Sequence, residues 1–185
     1  MPQGSHLGPL LFLLYAHDIT TLLADTEHSL YADDLKLLRV IRDESGSQHL
    51  QHKLALISSW GVRTGLRLNA SKSQVITFIR GRTDRQFNYS ISGSAIARVS
   101  EVKDLGVTLD RKLDFRRHID RLIAKCRSTL ALVNRFTKDF GDRDVARTLY
   151  CSLVRPSLEY AAPIWSPHHA VHIARIESIQ KQFVL

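Results

Sequence analysis

The period of the apolar positions changes several times along the chain, and each change marks an element. Residues 7 to 24 are apolar on most sides, from Leu7 through Leu10, Leu11, Phe12, Leu13, Leu14 and Tyr15, which predicts a buried helix. Leu30 to Val40 alternates loosely around Asp33-Asp34, the pattern of a β-hairpin with an acidic tip. From Ser47 to Arg63, Leu50, Leu54, Ile57 and Trp60 recur at spacings of four and three and share a helix face, with Gly61 and Gly65 punctuating its end. Leu66 to Leu68 and Gln74 to Arg80 read as strands around an Asn69-Ala70-Ser71-Lys72 turn, and residues 81 to 86 as a polar loop. Asn88 to Val99 reads as a hairpin turning at Gly93-Ser94, and Val102 to Leu109 as a short strand pair turning near Gly106.

Beyond this the period is helical. From Phe115 to Phe136, Ile119, Leu122, Ile123, Cys126, Leu130, Val133 and Phe136 fall on one side, while Arg117, Arg121 and Lys125 sit four apart on the other. Further helices are predicted from about Asp144 to Arg155 and from about His168 to Phe183. The shift from mixed to all-helical pattern near Leu113 predicts an α+β chain with two lobes, 1–112 and 113–185.

Composition sharpens this picture. At 44% hydrophobic, the chain can bury a core and is not a disordered tail. Lys plus Arg number 26 against 18 Asp plus Glu, a net charge of +8 that favours an anionic partner, of which nucleic acid is the commonest. Cys126 and Cys151 are too far apart for a close zinc pair and too few for a disulfide framework, so both are read as reduced core or near-core residues. The apolar run from Leu7 to Tyr15 lacks a preceding basic segment and is too short to span a membrane. An intracellular protein follows, with nucleus and cytoplasm both open. Pro2-Gln3-Gly4 has no lead-in element and Phe183-Val184-Leu185 falls within a helical pattern, so both ends are read as cuts through a larger protein.

Chemistry enters with Tyr31-Ala32-Asp33-Asp34. Adjacent carboxylates repel unless a cation shares them. Mg2+ prefers oxygen ligands and usually takes one or two carboxylates plus substrate phosphates, as two-metal phosphoryl transfer requires. An ordinary Asp-Asp turn is the competing reading. The flanks, Leu30-Tyr31-Ala32 and Leu35-Lys36-Leu37-Leu38, favour function, because the acids interrupt an otherwise buried pattern.

Tyr31-Ala32-Asp33-Asp34 resembles the Y/F-A-D-D box of reverse transcriptases. Upstream, Pro2-Gln3-Gly4-Ser5-His6-Leu7-Gly8-Pro9-Leu10-Leu11-Phe12 is similar to the P-Q-G-S-x-L-G-P-x-L-F segment of non-LTR retrotransposon enzymes. Downstream, Gly65-Leu66-Arg67-Leu68-Asn69-Ala70-Ser71-Lys72-Ser73 resembles their G-L-x-L-N-x-x-K-[ST] segment. Leu105-Gly106-Val107-Thr108-Leu109-Asp110, with Leu113-Asp114-Phe115 and His118-Ile119, resembles their palm–thumb junction. Tyr150 to Pro167, with Arg155-Pro156, Leu158-Glu159-Tyr160 and Ile164-Trp165, is similar to their helical tail.

The resemblance covers nearly the whole chain and implies a partial palm over 1–112, an antiparallel sheet with packed helices, followed by a helical thumb over 113–185. It implies Mg2+, with Mn2+ as a substitute, on Asp33, with a lesser metal or structural role for Asp34. It implies an RNA template, a DNA primer and dNTP as partners. Gln3 and Gly4 would shape the nucleotide and template pocket beside Tyr31. Ser5, Gly8 and Pro9 either join them or form the turn into the helix. Lys72 would contact phosphate or the pyrophosphate leaving group, or is simply a solvated lysine. Leu105 and Gly106 would grip the primer end. Arg117, Arg121 and Lys125 would contact phosphates, or form a solvated face. Residues 98 to 155 carry 14 basic and 8 acidic residues, net +6, and the other 127 residues only +2.

The family pattern places a second metal-binding Asp, and the fingers, upstream of Pro2. Polymerisation by these residues alone is therefore not expected, and the palm part is expected to be marginally stable by itself. A nucleic-acid-binding remnant without catalysis, or a decayed retrotransposon copy, are the alternatives.

Overall fold

The computed structural model describes residues 5–79, 81, 86–138 and 142–184. The predicted strand end at Arg80 and most of the predicted loop at 81–86 lie outside the described residues. The chain forms two compact units, Met1–Val75 with Arg85–Arg98, and Ile76–Asp84 with Val99–Leu185. Packing therefore places the strand pair before Leu113 with the helices that follow it.

In the first unit the apolar opening forms α1 (Gly8–Ala16) and, one residue on, α2 (Asp18–Leu22). The predicted burial is corrected: Leu7, Leu10, Leu11, Leu13, Leu14 and Tyr15 are 44% to 66% exposed. A helix apolar all round carries no instruction about which side meets a partner. Here Ala16 and half-buried Phe12 reach the core, and the remaining apolar side chains face solvent. The hairpin β1 (Glu27–Tyr31) and β2 (Asp34–Leu38) pairs antiparallel from Glu27↔Leu38 to Tyr31↔Asp34. Helix α3 (Glu44–Thr64) starts earlier than expected because the Asp43 carboxylate accepts from the Gly46 N–H at 2.9 Å. It ends at Gly65 in the left-handed conformation. Gly61 is no terminator: it lies within α3, where an added Cβ would stand 2.8 Å from the Leu66 carbonyl oxygen.

Residues 66–68 are not a strand, and of the expected 74–80 strand only β3 (Gln74–Val75) is regular. The hairpin β4 (Ser90–Ile91) and β5 (Ser94–Ala95) turns through Ser92 and Gly93, both at positive φ, one residue before the expected position. Strand β6 (Ala97–Arg98) leaves that hairpin and runs parallel to β3. In place of one continuous antiparallel sheet, the strands of the described residues pair two by two, in three antiparallel pairs and one parallel pair. The coarser α+β class holds.

In the second unit, β7 (Glu101–Asp104) and β8 (Val107–Asp110) form a hairpin, followed by α4 (Arg116–Thr137). Ile119, Leu122, Ile123, Cys126, Leu130 and Val133 are buried on one face of α4, as the period requires, while Phe136 is 59% exposed because the helix outruns the core. Helix α5 (Arg143–Leu149) widens into a π turn at Tyr150–Val154 and continues as α6 (Arg155–Glu159). Pro156 explains the widening. It lacks an N–H and its ring would press on the Ser152 carbonyl four residues back. The wider turn, with the Arg155 N–H bonded to the Tyr150 carbonyl, absorbs the mismatch. Short α7 (Ala162–Trp165) and α8 (Ala170–Val184) follow. Val154 and Ile179 are fully buried beside α4, and Tyr150 stacks on Phe183 at 4.2 Å. Cys126 is buried, but Cys151 is exposed, which corrects the core assignment for the second thiol. Among the described residues no helix is long and apolar enough to cross a membrane.

Candidate functional site

The acidic box sits where a hairpin must turn. Tyr31 pairs with Asp34, leaving Ala32 and Asp33 as a two-residue turn. Ala32 has φ 50°, a conformation usually left to glycine, so the tip carries local backbone strain. Leu30, Leu35 and Leu37 share one face of the ladder and pack against the core of Ile57 and Trp60. This apolar anchor leaves Tyr31, Ala32, Asp33 and Asp34 exposed, with Tyr31 at 61%. Asp33 is therefore presented to solvent.

The base of this hairpin holds a polar cluster that the sequence reading missed. Lys53 of α3 is only 8% exposed; its ammonium donates to the Leu22 carbonyl at 2.9 Å and pairs with Asp25. The Lys53 hydrogen bond holds the Asp25 carboxyl below its ordinary value. The His49 ring lies 3.4 Å from Asp25 and 3.3 Å from the Thr26 hydroxyl, and His28 Nδ1 is 2.9 Å from the Thr26 carbonyl. A signal was available: Lys53, Ile57 and Trp60 fall on one helix face, so Lys53 breaks a buried pattern.

Lys72 is exposed on a turn built by Asn69. The Asn69 side-chain oxygen accepts from the Lys72 N–H at 3.1 Å and the Ser71 hydroxyl at 2.7 Å, while its carbonyl accepts from the Ser73 N–H at 3.1 Å. Gln3 and Gly4 lie outside the described residues. Exposed Ser5 accepts from the Leu7 N–H through its hydroxyl and from the Gly8 N–H through its carbonyl, both at 3.3 Å, which is the geometry of a turn into α1.

In the second unit, Leu105 (φ 42°) and Gly106 (φ 88°) form the β7–β8 turn, a two-residue type that needs positive φ at both positions. A Cβ on Gly106 would stand 3.1 Å from the Tyr160 ring, and the Tyr160 hydroxyl donates to the Leu105 carbonyl at 2.8 Å. The close approach that glycine permits is thus filled from within the unit by Tyr160. The Asp110 carboxylate accepts from the N–H groups of Lys112, Asp114 and Phe115. Burial pushes this carboxyl up, but the three amides outweigh burial and hold it below its ordinary value. Phe115, with φ 56°, enters α4 from this cradle.

His118 on α4 is buried, and its Nδ1 accepts from the Thr108 N–H at 3.2 Å. Burial, aided by the Arg121 charge, lowers its pKa from the ordinary 6.5. Above that value the neutral ring keeps its full contribution. As pH falls below it the unfolded chain binds the proton first, so stability is lost progressively down through the folded-state pKa. Urea titrations should therefore show lower stability at pH 5 than at pH 8, with this ring contributing to the difference. His118→Asn, whose side-chain oxygen can replace Nδ1 as acceptor, should remove that part of the pH dependence.

Arg117, Arg121 and Lys125 all lie exposed on the side of α4 away from the core. Two of them are engaged: Glu101 accepts from Arg117 at 3.0 Å and from Arg121 at 2.7 Å, and Arg121 also donates to the Thr108 hydroxyl at 3.0 Å. The two guanidinium hydrogen bonds, Arg121 first, hold the Glu101 carboxyl below its ordinary value.

Residues 1–109 match the family described as reverse transcriptase (RNA-dependent DNA polymerase). The chain belongs to the reverse transcriptase family, and within it to the kind carried by non-LTR retrotransposons. It is 31% identical over 199 residues to the RNA-directed DNA polymerase from mobile element jockey of Drosophila funebris, covering 100% of this chain and 21% of that protein. It is 30% identical over 192 residues to the probable RNA-directed DNA polymerase from transposon X-element of Drosophila melanogaster, covering 98% and 21% respectively. The chain thus spans about a fifth of the length of these relatives. No solved structure matches it.

Proposed function

We propose that these residues supply the acidic hairpin and the helical lobe of an RNA-directed DNA polymerase of a non-LTR retrotransposon, with 1–112 as a partial palm and 113–185 as thumb. The observation that carries this reading is the hairpin: an apolar anchor of Leu30, Leu35 and Leu37 holding Asp33 and Asp34 out in solvent. Two exposed, adjacent carboxylates suit a hard divalent ion that also takes substrate phosphates. Asp33, with Asp34 in a lesser role, would hold Mg2+ or Mn2+, which would supply charge neutralisation for nucleotidyl transfer.

In this reading Tyr31, with Gln3, Gly4 and Ser5, shapes the nucleotide and template pocket for an incoming dNTP. Lys72, held out by the Asn69 turn, meets phosphate as a point charge. Leu105 and Gly106 support the primer end. Arg117, Arg121 and Lys125 face the phosphates of an RNA template paired with a DNA primer. The arginines do so in competition with Glu101, whereas Lys125 has no carboxylate partner among the described residues.

Among the described residues no three His, Cys, Asp or Glu side chains come together as a metal cluster. Two carboxylates alone leave the two-metal arrangement short of a ligand. The 185-residue chain by itself is therefore expected to give no product in primer extension with Mg2+ or Mn2+. Robust extension would overturn the view that its carboxylates need a further one from elsewhere in the polymerase.

A further inference from the structure

We infer that the groove between the start of α4 and the start of α8, where Arg116 and Arg175 stand beside His169 and His172, docks the phosphate backbone of a nucleic-acid duplex. The inference rests on the nucleic-acid reading above but assigns a surface that none of the motifs marks. The groove has a volume of about 450 Å³ and is lined by Arg116, Asp120, His169, Val171, His172 and Arg175. Val171 is the one apolar side chain in this lining, so the groove does not suit an apolar ligand.

Charge decides the sign of the occupant. Asp120 is the only carboxylate in the lining and is paired with Arg175 at 2.7 Å. Arg116 has no carboxylate partner among the described residues; its backbone N–H is what Asp114 engages, at 2.8 Å. On its two arginines and Asp120 alone the groove is therefore net positive. Arg175 is also oriented: one terminal nitrogen meets Asp120 and the other lies 3.4 Å from His172 Nδ1. The His169 ring stands edge-on to His172 at 6.3 Å, so two imidazoles sit beside two guanidiniums. Guanidinium forks match phosphate oxygens, and an imidazole N–H adds a further hydrogen-bond donor.

The other basic surface of α4 is less available, because Glu101 already engages both Arg117 and Arg121. The absence of Phe, Tyr or Trp from the groove lining argues for a duplex backbone over a single strand, whose unstacked bases would need an aromatic platform. Backbone contacts of this kind position a duplex without reading its sequence.

The test measures binding of a fluorescently labelled RNA–DNA hybrid duplex to the whole 185-residue chain by anisotropy, across about 50 to 200 mM salt. Arg116→Gln is expected to weaken binding about threefold or more. Arg116→Gln with Arg175→Gln should weaken it about tenfold or more and reduce the salt slope by about two. Because the double variant breaks the Asp120 pair, its melting midpoint is measured alongside; Arg116→Gln disturbs no ion pair and reports on the groove if the double variant unfolds. Arg117→Gln with Arg121→Gln is expected to have the smaller effect. Unchanged binding in both groove variants, with loss in the Arg117 and Arg121 pair, overturns the groove and leaves nucleic-acid binding standing. Absence of hybrid binding by the unmodified chain overturns both. Equal affinity for a single-stranded RNA of the same length, lost in the same variants, overturns the duplex assignment.

Discussion

Asp33→Asn should lower primer extension by about a thousandfold or more when this chain replaces the aligned segment of the jockey polymerase. That corresponds to roughly 4 kcal/mol of transition-state stabilisation. The substitution keeps the shape of the side chain and removes its charge. Asn tolerates turns as well as Asp does, and the side chain at this tip is exposed, so melting of the chimera should not change. A loss of extension with an unchanged melt would thus isolate the metal-binding role from folding. Asp34→Asn should have the smaller effect, since Asp34 is the first residue of β2 and pairs with Tyr31 instead of occupying the turn. Extension by the Asp33→Asn chimera at the rate of its parent would remove the polymerase reading of the hairpin altogether.

Ile119→Ala is expected to destabilise the second unit by about 2–5 kcal/mol. Ile119 is fully buried on α4 and belongs to the cluster that includes Val107 of β8 and Val154 of the π turn. Truncation removes apolar transfer energy and leaves a void, because neighbours in a close-packed interior collapse only in part. The same helix turn carries His118, whose Nδ1 accepts from Thr108, so loosening Ile119 should also loosen the β7–β8 hairpin. Urea denaturation followed by tryptophan fluorescence of Trp165, which packs within this cluster, measures the loss. A shift below about 0.5 kcal/mol would mean that the cluster is not the stabilising core of this unit.

Elements built by interactions of short range were legible in the sequence. The hairpin around Asp33 was legible because its pairing is local and its apolar anchors alternate on either side of the acids. The buried face of α4 was legible because six apolar positions repeat with the helix period. The Asn69 turn was legible because an Asn closes it locally, its side chain accepting from Ser71 and Lys72 and its carbonyl from Ser73. The π turn at Tyr150–Val154 could have been suspected from Pro156 alone, since a proline inside a helix has to be accommodated somewhere.

Other features depended on partners far along the chain. Arg117 and Arg121 form a charged stripe in the sequence, but Glu101, 16 and 20 residues away, makes them an ion-paired fork. Gly106 invites a ligand-approach reading, yet Tyr160, 55 residues after Leu105, fills the space beside it. Lys53 looks like a surface lysine until α2 brings the Leu22 carbonyl and Asp25 to it.

What the sequence by itself determined is the class, the order of local elements and the exposed acidic tip, because period, turn chemistry and motif spacing act over a few residues. Only the tertiary structure decided which apolar helix faces are covered, which strands pair, and which cations are already neutralised. Burial and electrostatics are properties of the surface brought opposite, and that surface comes from elsewhere in the chain.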